Sequence, residues 1–207
     1  MAVPGAQYAF QAGLASGMSA TEGIHSPHPK PVDPMRAEEP MLLPAEVQPD
    51  INSRITLRGA KEDVSIPYMC VGAWSWGDKG TFFYNHQEDY PKLQAAWEKL
   101  KGAGLTFVDT AQVYGDGESE RICGHLFRDM PRNSFVIQTQ WLPLDVSNLL
   151  NQSHGPVVKL RESLKNLQLD YVDIYLVHGP IHASTFTAVA KGLAECVNQG
   201  LAKVIGV

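Results

Sequence analysis

The chain lacks the features that define several functional classes. It has no basic run or basic helical stripe, and its 17 lysines and arginines are outnumbered by 22 acidic residues, for a net charge of −5. That balance excludes nucleic acid and anionic membrane surfaces as expected partners. No stretch approaches the ~18 apolar residues of a membrane helix, and no basic start leads into an apolar run at the N-terminus. Cysteine is scarce: Cys70, Cys123 and Cys196 lie far apart with no C-x-x-C spacing. A disulfide framework or zinc site is therefore not expected, and buried thiols in a reducing, cytoplasmic setting are. A G-x-G-x-x-G turn is also missing, which argues against a doubly wound dinucleotide binder.

What is present divides in two. Eight of the 14 prolines fall in residues 1–50, among them Pro27, Pro29, Pro31 and Pro34. Without helical or strand periodicity, this segment reads as extended and disordered. His25 and His28 form an H-x-x-H pair there, but no further ligands accompany them, so no metal is expected. Residues 51–207 read as the folded part. Ile55 to Leu57 suggests one strand of a short hairpin. Tyr68 to Val71, Leu105 to Asp109, Phe135 to Thr139, Tyr171 to Val177 and Lys203 to Val207 read as further strands. Between them, helices are expected over Tyr90 to Lys101, from a cap at Ser119 to about Phe127, over Val157 to Leu167, and over Thr185 to Asn198.

The strand ends fall near residues 72, 109, 140, 177 and 207, the rhythm of successive βα units around a parallel sheet. A doubly wound sheet and an eight-fold barrel share that rhythm. The positions of the polar residues favour the barrel, because Asp109, Gln140 and His178 all fall at or just past consecutive strand tips, where barrel enzymes carry their chemistry. Tyr114 stands one loop beyond Asp109, so a carboxylate, a phenol and an imidazole can meet over a substrate. Gly115-Asp116-Gly117 looks like a phosphate loop, but Asp116, Glu118 and Glu120 suit a helix dipole while repelling phosphate. Trp74 and Trp76 follow the first barrel strand and either line the pocket or cap the core. A metal-dependent hydrolase would need more strand-tip ligands than Asp109 and His178.

From about residue 66, the chain resembles the aldo-keto reductases, nicotinamide-dependent carbonyl reductases built on a parallel (β/α)8 TIM barrel. The likeness rests on Gly104-Leu105-Thr106-Phe107-Val108-Asp109-Thr110-Ala111, Tyr114-Gly115, Ser119-Glu120, Leu164 to Asp173, His178 and Gly200 to Val207. It covers the N-terminal half of the barrel, ending after about the fifth strand. By resemblance Tyr114 is the proton donor and His178 orients the carbonyl oxygen. Asp109 contacts the nicotinamide ribose, Trp74 lines the cofactor and substrate pocket, and the cofactor is NADPH. Gln140 stands where the family carries the lysine that lowers the tyrosine pKa. The resemblance thus implies reduction of a small aldehyde or ketone, slowed by Gln140. Fungal relatives with a similar Gly-Ala-Trp-Ser-Trp-Gly element imply substrates from secondary metabolism. A half-barrel is also expected to bind NADPH weakly and to self-associate through its open edges. The alternative is a catalytically inactive pseudoenzyme or interaction protein.

Overall fold

The computed structural model describes residue 50 and residues 52–143, 153–179 and 186–207. The proline-rich segment up to residue 49, with its histidine pair, lies outside the described residues. Strands β1 (Arg54–Leu57) and β2 (Val64–Pro67) pair antiparallel, forming the expected hairpin. Its turn is anchored by Lys61, whose Nζ donates to the carbonyl of Asn198 at 2.8 Å. Asn198 lies just before the start of the last strand, so the hairpin belongs to the N-terminal side of the sheet.

Among the described residues five parallel strands follow: β3 (Val71–Gly72), β4 (Phe107–Asp109), β5 (Val136–Trp141), β6 (Val172–Val177) and β7 (Ala202–Gly206). Their spatial order is their sequence order, β3-β4-β5-β6-β7. A doubly wound sheet must reverse its strand order at the point where ligand binds, whereas a barrel adds each strand beside the last. The sequential order therefore separates the two architectures where periodicity could not.

Among the described residues four helices cross between the strands: α1 (His86–Gly102), α2 (Glu118–Phe127), α3 (Gly155–Leu167) and α4 (Phe186–Asn198). Right-handed crossovers between sequential neighbours put such helices on one side of the sheet. The alternation of β5 fits that arrangement. Ile137, Thr139 and Trp141 are buried, while Val136, Gln138 and Gln140 between them stay half-buried on the other face. Trp97 of α1, Ile122 of α2 and Leu160 of α3 join Ile137 and Trp141 in one core cluster. Each fully buried Leu or Ile contributes about 1.5–3 kcal/mol relative to exposure.

Several boundaries differ from the sequence reading for identifiable reasons. Helix α1 starts four residues earlier than Tyr90, because Asn85 caps it. The Asn85 side chain accepts from the Gln87 N–H at 3.1 Å, and the Asp89 carboxylate accepts from the Asn85 N–H at 2.9 Å, a reciprocal cap. Strand β3 is only two residues long, since Tyr68 and Met69 are exposed and unpaired. Ser119 does not cap α2. The cap is Gly117, at φ 78°, and Ser119 lies fully buried inside the helix.

Candidate active site

Parallel pairing brings Gly72, Asp109 and Gln138 level with one another, and Gln140 level with Leu176. Residues paired in this way share a face, as do Gln138 and Gln140, two positions apart on β5. The face opposite the buried core thus carries a carboxylate beside two amides. Both are in contact with it: Gln138 Nε2 and Gln140 Nε2 each donate to Asp109 Oδ1 at 2.7 Å. Hydrogen bonds to an ionised group are the stronger kind, about 1.5–3 kcal/mol each. Asp109 Oδ2 accepts from no other group among the described residues. The carboxylate is therefore held by two neutral donors on one oxygen, and the other oxygen is free for a ligand.

Gln138 is not singled out in the sequence, where it lies inside the strand Phe135 to Thr139. The signal is there: Val136, Gln138 and Gln140 alternate onto the face of Asp109, and an amide is unusual in the middle of a buried strand.

Tyr114 opens a single tight turn, Tyr114–Gly117, in which Gly115 and Asp116 both take φ 55°. A side chain at Gly115 would sit 2.8 Å from the backbone of Gly77, so the Tyr114 loop packs directly on the loop carrying the tryptophans. That loop is fixed a second time at its base. Ser119 Oγ donates to the Ala73 carbonyl at 2.8 Å and lies 2.8 Å from Thr110 Oγ1, tying together the ends of β3 and β4 and the start of α2. The two tryptophans then divide. Trp76 is 7% exposed and belongs to the core, whereas Trp74 is 56% exposed. The Trp74 ring lies 6.3 Å from that of Tyr114, tilted by 34°.

His178 follows β6, with its backbone N–H donating to the Trp141 carbonyl at 2.7 Å. Its ring meets Tyr114 edge to face at 5.6 Å. Its Nδ1 is buried and has no partner among the described residues. Asp109, Gln140, Tyr114, His178 and Trp74, the five residues singled out from the sequence, are thus assembled in one place.

Glu120 stands in the first turn of α2, as the sequence suggests, and it is also fully buried. It accepts from Thr139 Oγ1 at 2.7 Å and from Asn166 Nδ2 at 3.0 Å, joining α2, β5 and α3. Thr139 lies between the two glutamines, so this buried network holds the strand that presents them.

Burial raises the Tyr114 phenol above its usual value of 10, and the negative charge of Asp109 adds to that shift. Burial lowers His178 below 6.5, against an opposing pull from Asp109. At neutral pH the site therefore presents a neutral phenol and a neutral imidazole. Such a pair can hydrogen-bond or protonate an oxygen, but the phenol is poorly matched to rapid proton transfer. His178 should titrate below 6.5 when its ring protons are followed by NMR. A depressed histidine stabilises the folded chain above the unfolded-state value, and that contribution is lost as pH falls through the folded value. Unfolding free energy should therefore decline on acidification below 6.5, less so in His178→Gln. A midpoint above 6.5 would contradict the burial inferred for this ring.

Among the described residues no group of three or more His, Cys, Asp or Glu is placed to hold a metal ion. Likewise, no helix among them is long and apolar enough to cross a membrane.

Comparison with known proteins agrees with this geometry. The chain is 30% identical over 151 residues to the aldo-keto reductase YhdN of Bacillus subtilis, covering 70% of this chain and 44% of that protein. It is 28% identical over 149 residues to a probable voltage-gated potassium channel subunit beta of Oryza sativa, covering 69% and 42%. Among solved structures, a thermostable aldo-keto reductase bound to the inhibitor epalrestat superposes with TM-score 0.61 at 27% identity, covering 74% of this chain and 53% of that one. An aldo/keto reductase of Klebsiella pneumoniae in complex with NADP and acetate gives TM-score 0.54 at 25% identity, covering 73% and 48%. The chain thus spans about half the length of the proteins it matches. A sequence model of the Aldo/keto reductase family matches residues 68–207, which include every strand of the parallel sheet and every residue of the site. With sequential parallel strands and this match over most of its length, the chain belongs to the aldo/keto reductase family.

Proposed function

We propose that this site reduces a small aldehyde or ketone with NADPH, Tyr114 supplying the proton. The observation that carries the reading is the edge-to-face meeting of the Tyr114 and His178 rings within reach of the charge of Asp109. Tyr114 and His178 would both point hydrogen-bonding groups at the carbonyl oxygen, and the phenol proton would pass to that oxygen as negative charge develops on it. The orphaned Nδ1 of His178 supports this, because a buried ring nitrogen without a partner is stabilised by a ligand that provides one.

The residues present fit the nicotinamide riboside end of NADPH. Asp109 Oδ2, without a partner among the described residues, can accept from a ribose hydroxyl, and the exposed Trp74 indole offers a flat apolar surface beside Tyr114. When bound, NADPH supplies the hydride. The turn Tyr114–Gly117 does not fit the phosphates, because Arg121 is taken up by Glu118 at 2.7 Å and by the Asp116 carbonyl at 3.0 Å. Reduction is proposed to be slow, since the phenol pKa is raised and two amides occupy the place of a cation. The Gly-Ala-Trp-Ser-Trp-Gly element supports a carbonyl from secondary metabolism as substrate, and three unpaired cysteines support a cytoplasmic setting.

The same amide clamp favours a second reading, an interaction protein that keeps the fold without rapid turnover, a role the channel-subunit relative makes concrete. One titration separates the two. NADPH should quench the tryptophan fluorescence saturably, with a dissociation constant on the order of 0.1–1 mM because among the described residues partners are found for the nicotinamide riboside end. Asp109→Ala should abolish the saturation. Absence of quenching at millimolar NADPH in a folded chain would favour the interaction protein.

A further inference from the structure

A cavity of about 140 Å³ opens at the end of the sheet where the strands begin, away from the tips that carry Asp109 and His178. It sits between the end of α2, the single turn Arg132–Ser134 that leads into β5, and the turn at Gln168 that ends α3. Part of its lining is apolar. Phe127 and Phe135 stack there with ring centroids 4.4 Å apart at 25°, and Met130 and Leu169 add to it. A dry cavity of about 150 Å³ accepts a molecule the size of benzene.

The rest of the lining is cationic, since Arg128 and Arg132 are the charged residues in it. Arg132 is fixed by bonds that leave one donor over. Nη2 donates to Asp173 Oδ2 at 2.7 Å and to the Tyr171 carbonyl at 3.2 Å, and Nη1 donates to the Phe135 carbonyl at 3.3 Å. Asp173 does not close a two-pronged pair, because its Oδ1 lies towards Lys203, at 3.6 Å. Nε is left buried, with no acceptor among the described residues. A buried charged donor without a partner is costly, and native structures normally supply one as protein, water or ligand. Arg128, exposed at the end of α2, also has no acceptor among the described residues. The nearest acids in the chain, Asp129 and Asp170, do not line the cavity. At the negative ends of α2 and α3, the carbonyls of Phe127 and Leu164 are taken by the N–H groups of Met130 at 2.9 Å and Leu169 at 3.1 Å. What remains of those two dipoles disfavours a dianion more than a monoanion.

We infer that this cavity binds a small aromatic carboxylate, its ring against Phe127 and Phe135 and its carboxylate between Arg128 and the Nε of Arg132. An arginine edge matches a carboxylate in shape as well as in charge. The site is separate from the reducing centre and does not rest on the reductase reading.

Met130 lines the cavity, so its methyl group reports on it locally. The test uses the whole chain isotopically labelled at its methionine methyl groups, with the Met130 signal assigned through Met130→Leu. Benzoate should shift that signal saturably, with a dissociation constant of about 1 mM for a ligand of this size. Benzamide, its uncharged counterpart, should bind about tenfold more weakly, because it forfeits the charge-assisted bonds. Arg128→Ala should weaken benzoate about fivefold or more, and so should Arg132→Lys, which keeps a charge beside Asp173 but removes Nε. If Arg132→Lys does not fold, the exposed Arg128→Ala decides. Tyr114→Phe should leave the titration unchanged, which separates this cavity from any carboxylate held at the reducing centre. Loss of the Met130 shift in that variant would overturn the inference, as would no saturable shift at about 20 mM benzoate. Equal binding of benzamide, or unaltered binding in Arg128→Ala, would also overturn it. Inorganic phosphate that matches benzoate would overturn the preference for a ring.

Discussion

Gln140→Lys should raise the rate of NADPH-dependent reduction by about 100-fold, the lower part of the range that well-matched acid catalysis typically contributes. The reason lies in the phenol. Tyr114 titrates above 10 because it is partly buried and feels the charge of Asp109. An ammonium on the same strand tip would oppose both effects, and each pKa unit recovered is worth about 1.4 kcal/mol. The gain should be limited by Gln138, whose amide already occupies the oxygen of Asp109 that a lysine would seek. Gln138→Val combined with Gln140→Lys should therefore exceed the single change, and the two substitutions should be non-additive by about 0.5 kcal/mol or more. Ultraviolet difference titration of the Tyr114 phenol gives an independent readout, since its midpoint should fall in Gln140→Lys. A rate gain without that fall would place the effect elsewhere than the phenol. No change in either would mean that Gln140 is not the feature that restrains this site.

The sequence reveals positions along the chain better than it reveals destinations of side chains. Asp109 and His178 are legible because each ends a short apolar run, and a parallel strand in a layered fold leaves a polar residue only at its tip. Gly115 is legible as a turn, yet its reason is tertiary: the backbone of Gly77 lies where its side chain would be. The same contact decides the two tryptophans. Nothing in Gly-Ala-Trp-Ser-Trp-Gly tells which indole enters the core, because that depends on the turn at Gly77 (φ 81°) and on the Ser119 bond to Ala73. Ser119 misleads for a related reason. Serine is favoured at helix caps, so local preference predicts a cap, whereas its partners Thr110 and Ala73 come from other elements. Glu120 stands at the helix start as expected, but its partners Thr139 and Asn166 are likewise visible only in the fold. Gln138 shows the opposite failure, since its face is predictable from alternation but its amide has meaning only once β4 is laid beside β5.

The largest stability effect is expected far from the phenol, at Asp173 near the start of β6. Its carboxylate is 4% exposed, and Oδ2 accepts from Arg132 Nη2 at 2.7 Å and from the Ile137 N–H at 3.0 Å. Lys203 Nζ lies 3.6 Å from Oδ1. The Arg132 guanidinium is further enclosed by the rings of Tyr171 at 4.0 Å and Phe135 at 4.8 Å. Asp173→Ala would leave a half-buried guanidinium, a lysine and a strand N–H without their shared acceptor. Breaking such a pair from one side costs about 3–5 kcal/mol, a large share of the 5–15 kcal/mol that holds a typical domain together. Asp173→Asn should cost less, because an amide oxygen can still accept from Ile137. Urea unfolding of the two variants gives both numbers. Replacing both partners, Asp173→Leu with Arg132→Met, separates charge from packing. If the penalty comes from stranding a cation, the double variant is more stable than Asp173→Ala alone. If it is less stable, the pair contributes net attraction beyond its desolvation cost. The site would report the same event, since Ile137 adjoins Gln138 on β5. Loosening that strand should weaken the amide clamp on Asp109, and with it NADPH binding, before the chain unfolds.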